Sequence, residues 1–98
     1  MSPDTLAVAW YRECQWSRLR ALAADQDELD PTFAGWRFTA ERMCADMEAL
    51  GYRVRRIEVD VEMLWAWCCA HGRPLDSAAR AEYVTRLAQQ GAAGQGAE

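Results

Sequence analysis

The sequence contains no lysine; all 11 of its basic side chains are arginine. Together with the alanine content, this points to a GC-rich bacterial genome, which is an inference about codons and not about physics. Histidine occurs once, at His71. No apolar run is long enough to span a bilayer and no basic-then-apolar leader opens the chain, so the expectation is a soluble, cytoplasmic protein with no membrane partner. The formal net charge of −4 argues against general nucleic-acid affinity, which needs a basic footprint. The four cysteines show no paired C-x-x-C spacing and, without a leader, are read as reduced thiols. Nothing amounts to a catalytic signature, and no cofactor is implied.

What is present is a short chain rich in large aromatics. At 98 residues it is one domain, and a chain of that size buries only about 60% of its extended surface. Five tryptophans compensate, because each can bury on the order of 200 Å². The stretch 52–72, YRVRRIEVDVEMLWAWCCAHG, organises the rest. Val54, Ile57, Val59 and Val61, with polar residues between them, predict a strand. A helix follows at once, with Asp60 as N-cap and Glu62 in the first turn, where the helix dipole favours an anion. Val61, Leu64, Trp65 and Cys68 share one face and Met63 and Trp67 widen it, so this helix is expected to pack on two sides. Gly72 stops it and Pro74 prevents its resumption.

Taken in order, residues 5–11 alternate as a strand, with a helix as the competing reading because Ser2-Pro3-Asp4 resembles a helix start. Residues 13–24 read as a helix on Trp16, Leu19, Leu22 and Ala23, followed by the acidic connector 25–30, DQDELD. Residues 31–50 read as the longest helix, capped by Asp30 with Pro31 in the first position. Its stripe is Phe33, Trp36, Ala40, Met43, Cys44, Met47 and Leu50, and Gly51 ends it. Phe38 falls off that stripe, with Ala34, Ala45 and Ala49. Asp76 opens a last helix to about Gln90, with Ala79, Tyr83 and Leu87 inward, and residues 91–98 are expected to be a disordered tail. The fold class is therefore α+β, a single compact domain over 1–90 whose small two-stranded sheet is covered by helices in the order β-α-α-β-α-α.

Val8-Ala9-Trp10-Tyr11-Arg12, then Trp16, the Trp36 helix, Val59-Asp60, and Trp67-Cys68 through Gly72 to Asp76, Ala79-Arg80 and Tyr83 form a pattern. It resembles a group of small, uncharacterised bacterial proteins of about this length. The resemblance implies one compact domain and carries no activity. Sequences of that kind are expected to have a proline shortly after the first strand, where this chain has Glu13.

Several clusters are candidates for chemistry. Cys68 and His71 share a helix face and could supply two metal ligands, with Cys44 or Cys14 from elsewhere, whereas the adjacent Cys68 and Cys69 point about 100° apart. A Cys68–His71 nucleophile would sit late in its helix, where the dipole disfavours a thiolate. DQDELD fails as a calcium loop, because Asp30 stands where glycine is needed and Trp36 where a bidentate glutamate is needed. Asp25, Asp27 and Glu28 could instead recognise a basic partner. Arg53, Arg55 and Arg56 could grip phosphate, though arginines on strands more often guard edges. Phe38 and Trp67 are candidate exposed anchors for a partner. These features point to a small non-enzymatic protein-binding module, an adaptor, regulator or inhibitor. The alternatives are an acidic anti-defence inhibitor of the anti-CRISPR kind from a mobile element and a Cys/His metal protein or enzyme. Open strand edges and the Phe38 face lead to the expectation of a homodimer.

Overall fold

A computed structural model describes residues 4–97, with side chains from 4 to 90. Its elements are β1 (Thr5–Trp10), α1 (Glu13–Leu22), α2 (Phe33–Ala49), β2 (Arg53–Glu58), α3 (Val61–Ala70) and α4 (Ser77–Ala97), with a short 3₁₀ turn at Gln26–Glu28. The class is α+β, and the order of elements is the expected one. The strand reading of the first segment holds, because β1 pairs with β2. The pairing is parallel, with Leu6 opposite Val54, Val8 opposite Arg56 and Trp10 opposite Glu58. A parallel pair needs a long crossover, and α1 with α2 provides it.

Strand alternation divides the helices between two faces. Arg55 donates to the carbonyl of Ala88 at 3.4 Å, so the face carrying Ala7, Ala9, Arg55 and Ile57 looks toward α4. Trp10 lies 5.1 Å from Trp36, ring centre to ring centre, so the face carrying Leu6, Val8 and Trp10 looks toward α2. The main core lies on the α4 side. There Leu19, Val61, Leu64, Cys68, Leu75 and Ala79 are sealed between α1, α3 and α4. α2 packs chiefly on β2, and α4 chiefly on β1.

The caps explain most boundaries. Asp60 accepts from the N–H groups of Glu62 and Met63, and Asp76 accepts from that of Ala79, as capping chemistry requires. Gly51 and Gly72 end their helices at φ 97 and 60, in the left-handed region that glycine enters without steric cost. The cap of α2 corrects the sequence reading. Thr32, not Asp30, is the N-cap, its hydroxyl accepting from Gly35 N–H at 3.1 Å. Asp30 is held one step outside the helix. Its carbonyl accepts the Trp16 indole N–H at 3.1 Å and its carboxylate accepts from Thr32 N–H.

Other boundaries move by one or two residues: β1 stops at Trp10 and α1 at Leu22. Three expected core positions also move out. Met63 is exposed, so α3 is less encircled than its wheel suggested, and the α2 stripe loses Met43 and Leu50 to solvent at its far end. The backbone of α4 is helical to Ala97, through most of the expected tail. The side chains of 91–98 lie outside the described residues.

Candidate functional site

The site is built around the outer edge of β1. Two hydrogen bonds fix which backbone groups point where: Arg53 N–H donates to Asp4 O at 2.9 Å, and Val59 N–H to Trp10 O at 3.0 Å. In a parallel ladder the residues of one strand alternate, one bonding the neighbour through both its N–H and C=O and the next turning both away. Leu6, Val8 and Trp10 therefore face β2, and Ala7 and Ala9 turn their N–H and C=O groups to the open side. The sheet has no third strand among the described residues. Two donors and two acceptors are thus presented by residues whose side chains are single methyl groups.

A cavity of about 580 Å³ runs along this edge, a size typical of ligand sites. It touches Leu6, Ala7, Val8 and Ala9 in succession. Their side chains alternate between the two faces, and the lining takes in both α2 and α4 and reaches Val54 of β2, as an opening that wraps the edge of β1 would. Trp36, Ala40, Met43 and Met47 of α2 form one wall, and Ser77, Arg80, Ala81 and Val84 of α4 form the other. Among the described residues of the lining, Arg80 is the one that is charged.

Arg80 is already engaged. Its two terminal nitrogens bond both carboxylate oxygens of Asp25, at 2.8 and 2.7 Å, with both side chains largely buried. Paired, planar bonds of this kind are the strong form of an ion pair. They hold the Asp25 carboxyl below its ordinary range, with Arg80's hydrogen bonds as the main cause. Beside the pair lies Tyr11, only 6% exposed, its ring 5.9 Å from Trp16 and 5.4 Å from Trp36. Burial pushes the Tyr11 phenol up to about 12, so it stays neutral at any ordinary pH.

The residues singled out from the sequence fall in different places. Asp25 is used internally, tying the connector to α4, and Asp27 and Glu28 remain exposed. The three do not form one recognition surface. Arg53, Arg55 and Arg56 do not converge on a phosphate, because alternation sends Arg53 and Arg55 to one face and Arg56 to the other. Arg55 bonds Ala88 O, and Arg56 lies 4.1 Å from the centre of the Trp10 ring. Phe38 is exposed at 65%, and Ala34, Ala45 and Ala49 are exposed with it, so nothing among the described residues covers that face. Trp67 is not a free anchor. It is half-buried, between His71 at 5.0 Å and Tyr83 at 5.4 Å, with the Arg73 and Arg86 guanidinium groups over its ring.

Cys68 is fully buried in the main core and Cys69 is exposed. Burial raises the Cys68 thiol, the opposite of what a nucleophile needs. Cys44 lines the groove, on the α2 side of the sheet. Among the described residues no three His, Cys, Asp or Glu side chains are placed to hold a metal ion. No helix there is long and apolar enough to cross a membrane.

Sequence reasoning missed Tyr11, Arg80 and the Ala7–Ala9 edge. The only signal for the edge was its composition, six uncharged residues in a strand whose partner carries three arginines. The Asp25–Arg80 pair spans 55 positions and left no signal. Compared with protein-family models, curated proteins and solved structures, the chain matches none.

Proposed function

We propose that the chain is a small, non-enzymatic protein-binding module that holds an extended, uncharged segment of another protein along the open edge of β1. The observation that carries this reading is the cavity lined by four consecutive strand residues. A strand added there would find the N–H and C=O groups of Ala7 and Ala9 for its backbone, and apolar walls for its alternate side chains. That is the general form of recognition by strand addition. A two-stranded sheet is itself marginal, so a third strand would also stabilise the module.

The distribution of charge favours this reading over acidic mimicry. Glu58, Glu62, Glu41, Glu82 and Asp25 each pair with an arginine, so these five acids are neutralised locally and are less suited to mimic a polyanion. The uncovered Phe38 face of α2 supports a two-fold homodimer as the working form. Sedimentation equilibrium checks it: two chains at tens of micromolar are expected, reverting to one chain in Phe38→Glu with the fold retained. A single-chain mass for the parent protein removes the dimer and leaves the groove untouched.

The groove is tested by selection from a random decapeptide library on the immobilised protein. Enrichment of uncharged sequences with alternating apolar residues is expected. Ala9→Pro, which removes an outward N–H, should abolish their binding. No enrichment, or undiminished binding by Ala9→Pro, would overturn the reading.

A further inference from the structure

The described lining of the groove is mostly apolar; its polar side chains are Thr39 of α2 and the group Tyr11, Ser77 and Arg80. Tyr11 is 6% exposed and lines the cavity. Its hydroxyl has no hydrogen-bond partner among the described residues. The half-buried or buried side-chain atoms that are both sealed from solvent and unbonded are Gln15 Oε1 and Arg20 Nε. The Tyr11 oxygen is not one of them, so it keeps an opening, and the space beside its ring is the groove. The phenol oxygen is therefore reachable from the groove, and a group arriving there can bond it.

The surroundings decide what that group is. Arg80 stands close enough to act on the phenol electrostatically. Asp25 acts on it in the opposite sense, so the pair does not fix the hydroxyl, and a phenol, which is a better hydrogen-bond donor than acceptor, can donate into the groove. An arriving group that takes this bond is an acceptor. It must also be neutral: Arg80's charge is already matched by the two-bond pair with Asp25, so an anion would compete with Asp25 and a cation would face Arg80. Ser77, one helical turn before Arg80, lines the same cavity and can accept a hydrogen bond. An acceptor carbonyl carrying its own N–H donors fits both groups, and a carboxamide is such a group.

We propose that Tyr11 is the specificity-determining donor of the β1 groove, reading the side-chain carboxamide of a glutamine or asparagine on the docked segment, with Ser77 accepting from the amide nitrogen. This rests on the strand-addition reading of the groove. A polypeptide is the occupant because Ala7 and Ala9 present donors and acceptors two residues apart, about 6.6 Å along the strand, the repeat of an extended backbone.

The test repeats the decapeptide selection on Tyr11→Phe beside the parent protein. The parent should enrich glutamine or asparagine at one fixed position within an uncharged, alternating sequence, and Tyr11→Phe should enrich the same alternation without it. A selected peptide and its Gln→Met or Asn→Leu version are then compared by fluorescence anisotropy. The parent should lose about three- to tenfold in affinity, while Tyr11→Phe binds the two peptides alike. Alternating peptides with no fixed carboxamide, or equal discrimination by both proteins, would overturn the role of Tyr11 and leave the groove standing. No extended peptides at all would overturn both. Because the hydroxyl bonds none of the described residues, Tyr11→Phe should keep the parent's melting temperature. A variant that fails to fold would show the hydroxyl to be structural and so would also overturn the proposal.

Discussion

The two strands of this sheet have opposite edges. β2, RVRRIE, carries three arginines, and two of them are anchored, Arg55 on the Ala88 carbonyl and Arg56 on the Trp10 ring. Charged side chains on an edge are a common defence against unwanted strand pairing. β1, TLAVAW, carries no charge, and its outward-turned residues are Thr5, Ala7 and Ala9. A groove between α2 and α4 runs along it. One edge is guarded and the other is open and walled, which is the arrangement expected if strand addition is wanted at β1 and not at β2.

The difference depends first on the aromatic cluster at the end of β1. Trp36 lies within 5.5 Å of Trp10, Tyr11, Trp16 and Phe33, ring centre to ring centre, and it forms part of the groove wall. Trp36→Ala should cost about 3 kcal/mol, measured by urea unfolding, a large share of what so small a domain has. A cost below ~0.5 kcal/mol would mean that the wall is not built on this cluster.

Proline substitution separates the two sides of β1. Val8→Pro removes a ladder donor to β2 and should cost about 1–3 kcal/mol, the penalty of leaving a carbonyl unbonded. Ala9→Pro removes an outward donor, and the protein should stay folded at a smaller cost. Equal losses in thermal unfolding would contradict the assignment of outward and inward residues.

Acid should loosen the α4 wall before the core. The Asp25 carboxyl is held low by Arg80, so its contribution is fully present above its unfolded value of about 4 and is lost as pH falls through its lower folded value. Tryptophan fluorescence and unfolding midpoints between pH 5 and 2 should show this loss in the parent protein. They should show less of it in Asp25→Asn, which starts less stable. Parallel acid profiles would remove Asp25 from the account.

The smallest effect expected is on the guarded edge. Replacing Arg53 and Arg56 with threonine should change stability by no more than ~0.5 kcal/mol at Arg53, which is exposed. The pair of changes should still promote concentration-dependent association, seen by light scattering. An unchanged scattering profile would show that these arginines do not protect β2.

Much of this fold could be read in the sequence because its signals are local. Asp60, Gly72 and Asp76 mark boundaries by capping and backbone chemistry alone. The cap of α2 was misread because both Asp30 and Thr32 are good capping residues and Pro31 suits a first turn. The choice was made by tertiary structure, through the Trp16 indole bonded to the Asp30 carbonyl. Met63 looked buried on a helical wheel, but a wheel cannot show which neighbours arrive. The groove was hidden for the same reason. It depends on α2 lying over β2 while α4 lies over β1, and on a register that turns Ala7 and Ala9 outward, none of which has a local signature.

Hydrogen exchange of the β1 amides, followed residue by residue by NMR on the free protein under conditions where it is monomeric, tests the central claim most directly. The amides of Val8 and Trp10, bonded to β2, should exchange slowly, and those of Ala7 and Ala9, facing the groove, should exchange fast. Equal and strong protection of all four would mean that the edge is closed in the free protein, and the open, walled edge on which this account rests would be contradicted.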